Sequence, residues 1–190
     1  MDIGYTIDPV TLREVPNNIG EMEQEISELW ESQSSLGELV SRLRIVGRLA
    51  EARQVAELAL VSLGMVPDTL LSVDLIEKKA LTTVLRYAHV LQWQGELDRA
   101  LALFTSAVRS AQLHFAGDEP TSSGKAIEAF ALQHRGKCYF ELGDDMAALT
   151  DFSAALSLRT LGSAPREMIE STEMSLVAVR RRRGGNLAEL

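Results

Sequence analysis

Cysteine occurs once in the 190 residues, at Cys138. One thiol excludes an internal disulfide framework and any multi-cysteine metal site, and it agrees with a reducing compartment; Cys138 reads as a packed core thiol. Aromatic residues make up only 5% of the chain, which leaves packing to leucine and alanine, as helices favour. No apolar run approaches the ~20 residues that a membrane-crossing helix needs. The start, Met1-Asp2-Ile3-Gly4-Tyr5, has neither the basic residues nor the apolar stretch of a secretory signal. The sequence therefore predicts a cytoplasmic protein without membrane association. Positive charge is also scarce, with 19 Lys and Arg against 27 Asp and Glu and a net charge of −8. That balance argues against nucleic-acid binding, which needs cations to displace phosphate counterions, and would attract a basic protein partner.

Signatures of catalysis are missing too. The chain has no phosphate-cradling glycine loop, no His-x-x-x-His or Glu-x-x-His metal pair and no nucleophile elbow. No catalytic residue, metal ligand, cofactor or small-molecule substrate is predicted, and the chain is not expected to be an enzyme. His89, His114 and His134 could join acidic residues in a metal or acid–base site only in principle, and His114 lies near a predicted helix end, where a solvated role is natural.

What the sequence does have is a repeat. The hydrophobic fraction of 46% and a mean hydropathy of +0.01 are those of one ordinary folded domain. Three segments align: Gly47-Arg48-Leu49-Ala50-Glu51-Ala52, Gly95-Glu96-Leu97-Asp98-Arg99-Ala100 and Gly143-Asp144-Asp145-Met146-Ala147-Ala148. Their glycines are 48 positions apart both times (95 − 47 and 143 − 95). Ala52, Ala100 and Ala148 follow at the same offset, then Ala56, Phe104 and Phe152, then Ala59, Ala107 and Ala155. Upstream, Val40, Ala88 and Gly136 align, as do Leu43, Leu91 and Tyr139. Glycine supplies the positive φ of a tight turn between helices, and small residues on facing sides let the helix axes approach.

Between about residues 35 and 160 this pattern resembles the tetratricopeptide repeat. That family has a small residue on the first helix of each hairpin, glycine at the turn, then alanine, aromatic and alanine on the second. The chain departs from it in period, since the family usually repeats every ~34 residues, and in its prolines, displaced to Pro67, Pro120 and Pro165. The resemblance implies an all-α, right-handed solenoid of three tetratricopeptide-like helical hairpins with flanking N- and C-terminal helices, a long-period variant.

Residues 1–18, with Pro9 and Pro16 and no sustained period, predict an irregular arm, mobile or laid on the surface. Residues 19–183 form the single helical domain. Met22, Ile26, Leu29 and Trp30 predict a short helix from about Gly20 to Glu31. Ser35-Leu36-Gly37-Glu38 is a capping box that starts the first hairpin, 35–64. The second, 70–116, opens with a long helix beginning between Asp68 and Ser72; the third spans 124–160. A capping helix over 165–183 begins with Pro165 in its first turn, and residues 184–190 form a flexible tail, in which Gly184-Gly185 fits better than in a phosphate loop. The cluster Arg180-Arg181-Arg182-Arg183 reads either as an anion-binding patch or as cations at the negative end of a helix, the second being preferred.

By the resemblance, partners bind the concave surface lined by the first helix of each hairpin. The outward rows there are Glu38, Ser41 and Ile45; Arg86, His89 and Trp93; and His134, Lys137 and Glu141, with Phe130 and Gln133 extending the third. Ser41, Arg86, His89, Trp93, Gln133, His134 and Lys137 are the candidate partner-binding residues, a mildly basic strip with Trp93 as apolar anchor, suited to a peptide with one acidic and one hydrophobic side chain. The clamp by which one subclass holds chaperone C-termini is not expected, because Gly37, Ser41, Phe130 and His134 stand where its Lys, Asn and later basic residues belong. The resemblance thus implies a protein–protein interaction module, an adaptor or scaffold; the alternative is a dedicated cytosolic chaperone or neutralising, immunity-type protein for one basic partner. Homodimerisation through the end hairpins or the last helix stays open.

Overall fold

A computed structural model of the chain describes residues 4–188, with side chains as far as Gly184. It is mostly helical, with one small sheet. The helices are α1 (Ile19–Ser32), α2 (Leu36–Ile45), α3 (Leu49–Ser62), α4 (Leu81–Trp93), α5 (Leu97–His114), α6 (Ser123–Leu142), α7 (Asp145–Leu161) and α8 (Arg166–Ala188). Each packs against its successor, and α4 also touches α2 and α6.

The turns follow from the repeated glycines. Gly47, Gly95 and Gly143 have φ of 82°, 81° and 83°, where a side chain would meet its own carbonyl. The next residue's N–H then reaches back to a carbonyl of the helix just ended: Arg48 to Leu43 (2.8 Å), Glu96 to Leu91 (3.0 Å) and Asp144 to Tyr139 (2.9 Å). This is a Schellman closure, which satisfies carbonyls that would otherwise lack partners. Leu43, Leu91 and Tyr139 are the aligned positions four before each glycine, so part of the register comes from the turn itself.

The aligned small and aromatic positions form the core. Ala52, Ala88, Ala100, Phe104, Ala107, Ala148, Phe152 and Ala155 are all buried. Gly136 lets α6 approach α7 so closely that a Cβ there would lie 2.7 Å from a Phe152 ring carbon. Two clusters result. The larger runs from Ile26 on α1 to Ala155 on α7, and the smaller gathers Phe140, Phe152, Leu176 and Val179 around Leu12.

Three expectations are corrected. The helix expected from Asp68–Ser72 begins only at Leu81; Pro67–Ser72 and Lys78–Ala80 are 3-10 turns. Between them the chain is extended at Val73 and Glu77, pinned by Ile76, whose N–H donates to Ser110 Oγ (2.8 Å) and whose carbonyl meets His114 Nε2 (2.8 Å). Tertiary bonds from α5 thus override the helical period. At the other end, α8 continues through the expected tail to Ala188, while 189–190 lie outside the described residues. The four arginines are therefore inside a helix rather than at its end. Arg182 lies over the Phe140 ring, donates to the Phe140 carbonyl (2.9 Å) and pairs with Asp145, joining α8 to α6 and α7.

The third correction concerns the N-terminal arm. Instead of irregular chain, Tyr5–Ile7 (β1) and Glu14–Pro16 (β2) form an antiparallel hairpin, with Ile7 opposite Glu14 and Tyr5 opposite Pro16. The Asp8 carboxylate closes its loop by accepting from Val10 N (2.8 Å) and Thr11 N (2.7 Å), and an Asx turn of this kind is a strong local signal. Leu12 has φ 58° and is completely buried. A leucine is strained there, and packing against α6, α7 and α8 holds it.

Candidate functional site

Alternation along the two strands turns Tyr5, Ile7 and Glu14 towards the helices and Thr6 and Val15 to solvent. Glu14, 7% exposed, enters the inner face of the helical stack. One carboxylate oxygen accepts from Arg44 Nη1 of α2 (2.9 Å) and lies 3.8 Å from His89 Nε2 of α4; the other is 3.5 Å from Lys137 Nζ of α6. Buried charge is tolerated only when paired. Here one carboxylate meets two cations from different helices, and together they hold its pKa well below the ordinary value despite burial.

His89 and His134 pack against each other with ring centroids 3.9 Å apart. Burial, with Arg44 and Lys137 nearby, pushes both pKa values well below that of a free imidazole, so both rings are neutral near pH 7. The sign of the pH effect follows. A depressed folded-state pKa means that the unfolded chain binds more protons, so stability is complete above about 6.5, the free-histidine value, and falls as pH drops below it. Melting temperature should decline between about pH 7 and about pH 5, and changing both rings to glutamine should flatten that decline. An equally steep decline in the double variant would refute the assignment.

Trp93 lies between two guanidinium groups, with Arg44 4.6 Å and Arg13 5.3 Å from the ring centroid. Arg13 also pairs with Glu141 (3.0 Å), which accepts from Gln92 Nε2 (2.6 Å). Of the strip expected from sequence, the structure brings His89, Trp93, His134 and Lys137 together, but around the chain's own hairpin. Trp93 is not a free anchor. Gln133 is buried, donating to Ser175 Oγ of α8 (3.0 Å). Ser41, Arg86 and Trp93 are partly exposed, and of these Ser41 and Arg86 line the pocket. Arg86 lies across Gly37, where a Cβ would be 1.9 Å from Nη1, and it makes no hydrogen bond or ion pair among the described residues.

Between hairpin and helices lies a cavity of about 320 Å³. Five cations line it, Arg42, Arg44, Arg86, Lys137 and Arg159, against three carboxylates, Glu14, Glu38 and Glu167. Phe130, Ile45, Pro165 and Met168 make its apolar walls. Glu14, His89 and His134 offer ligand atoms within 4.8 Å of one another. A divalent ion there would add positive charge beside Arg44 and Lys137, so the surroundings suit an anion better than a metal.

Glu14, Arg44 and Arg159 were missed by sequence reasoning. Arg44 and Arg159 left a signal: Arg44 is one turn beyond Ser41 on the inner face, and Arg159 occupies the position after Phe152 and Ala155 where their periodicity calls for an apolar residue. Glu14 left none, because nothing local says which way a short strand faces.

Compared with family models, curated proteins and solved structures, the chain has no match in any of the three. Its function is therefore argued from this site. No helix among the described residues is long and apolar enough to cross a membrane.

Proposed function

We propose that the chain is a helical protein-binding module of the tetratricopeptide type, an adaptor or scaffold that holds an acidic segment of a partner at the mouth of this cavity. The constant register of the three glycine turns supports the solenoid reading, and Arg86 carries the functional one. A half-buried guanidinium with no ion pair within 4.0 Å among the described residues, drawn only by the exposed Glu38 carboxylate at longer range and lining the pocket with Ser41, is positioned for a carboxylate from outside. The hairpin changes which residues can take part. His89, Gln133, His134 and Lys137 build the wall behind the mouth and Trp93 is covered by Arg13 and Arg44, while Arg86 and Ser41 face the partner.

Arg86→Ala should reduce affinity for the captured partner about tenfold or more, the effect of losing a charge-assisted hydrogen bond. Thermal stability should hold, since Arg86 bonds to nothing among the described residues. Photo-crosslinking from position 41, followed by titration of the captured segment, measures this. Capture that is indifferent to Arg86→Ala refutes the reading. Lys137→Ala is no substitute, because it strips Glu14 of a buried partner and destabilises the fold.

A further inference from the structure

Arg159, on α7, is 7% exposed and has no carboxylate within ion-pair distance among the described residues. Its Nη1 donates to the Met168 carbonyl (2.8 Å) and to Thr172 Oγ1, with Gln133 Oε1 at 3.5 Å. Nε and Nη2 have no partner among the described residues. They form one edge of a planar fork, whose two parallel N–H groups match the two oxygens of a carboxylate.

The surroundings point the same way. Tyr5, from β1, and Arg159 line the same cavity, and the Tyr5 hydroxyl has no hydrogen bond among the described residues. His134 Nδ1, also on the lining, is buried without a partner and can donate in the tautomer that carries its proton there. Buried polar atoms are normally satisfied; His89 Nε2 and His134 Nδ1 on this lining are not, and the open edge of Arg159 and the Tyr5 hydroxyl line the same space. The Glu14 carboxylate does not repel an incoming anion strongly, because Arg44 and Lys137 already neutralise it.

Size decides the kind of ligand. The pocket opens to solvent past Glu38, Pro165, Glu167 and Met168, which are exposed, and narrows towards the buried His134 and Arg159. About 320 Å³ is roughly twice the ~150 Å³ cavity that takes up benzene and sits at the small end of ligand pockets. The walls beyond the fork are Phe130, Pro165 and Met168.

We infer that this half-open pocket is a binding site for a small organic acid, its carboxylate held by the Nε–Nη2 edge of Arg159 with Tyr5 and His134 as further donors, and its apolar body against Phe130 and Met168. This ligand is separate from the partner segment at Arg86, and the inference does not depend on the protein-binding reading.

The test uses the full chain, with hexanoate and 4-phenylbutyrate as probes and their primary amides as neutral controls. Titration calorimetry should show binding of the acids and not of the amides, and the Arg159 Nε–H resonance should shift on addition of the acids. Arg159→Lys, which keeps the charge and loses the fork, should weaken binding by about 30-fold or more, as for truncating a buried charge pair. Tyr5→Phe removes only a hydroxyl and should weaken it several-fold, a check that stands even if the Arg159 variant unfolds. Equal binding of acid and amide, or an unmoved Nε–H resonance, would overturn the proposal. Short peptides carrying a C-terminal carboxylate or an internal glutamate form the last arm. Binding of the peptides alone would also overturn it, whereas binding of the free acids that Arg86→Ala leaves unchanged would sustain it, whatever that variant does to partner capture.

Discussion

Glu14→Ala should lower unfolding free energy by about 3–5 kcal/mol, the cost of breaking a buried ion pair by removing one partner. Arg44 and Lys137 would then face each other across the inner face without a counter-charge, and both are buried. Water would have to enter, or the hairpin lift away. Urea unfolding followed by circular dichroism measures the loss. The double variant Glu14→Ala with Lys137→Met should recover part of it, because the second change removes one stranded cation. If the single variant loses less than about 1 kcal/mol, the carboxylate is solvated, and the hairpin is not seated as described.

Phe152→Ala should cost about 3–5 kcal/mol, as large core truncations do when the surroundings cannot collapse. The ring is completely buried and belongs to the cluster that holds Leu12. Its contact with Gly136 gives a sharper form of the test. Gly136→Ala alone places a Cβ 2.7 Å from the ring and should destabilise, since overpacking costs ~1–3 kcal/mol and outweighs the gain of about 1 kcal/mol from replacing a helical glycine. With the ring gone, the clash disappears and only the helical gain remains. Gly136→Ala should therefore stabilise in the Phe152→Ala background, a sign reversal that calorimetric melting would detect. The same sign in both backgrounds would mean that α6 and α7 do not meet at this point.

Much of the helical architecture could be read from the sequence because it is encoded locally. Positive φ at Gly47, Gly95 and Gly143, the Ser35 cap on α2 and the burial of Phe104 and Phe152 all follow from residues close together in the chain. The start of α4 could not be read, because Ser110 and His114, more than thirty positions away, hold Ile76 in extended chain. The strip on the inner face was found, but its role was inverted. Periodicity shows that His89, His134 and Lys137 share a face with Trp93, yet not that a segment 75 to 123 residues earlier brings a carboxylate to them. Cations at buried registers, Arg44 and Arg159, were the signs that the space between these helices is polar.

The hairpin has one more effect. In a linear stack of helical pairs each unit touches only its neighbours, so units can fold and fray separately, and stability is roughly the sum of local terms. Glu14 reaches α2, α4 and α6 at once, and Leu12 reaches α8. It ties the β-hairpin to α8. These contacts require Lys137 to be present, so the β-hairpin cannot be fully seated until α6 has been made. Contacts that span α2, α4, α6 and α8 in this way favour loss of the whole helical array in one step over fraying from either side.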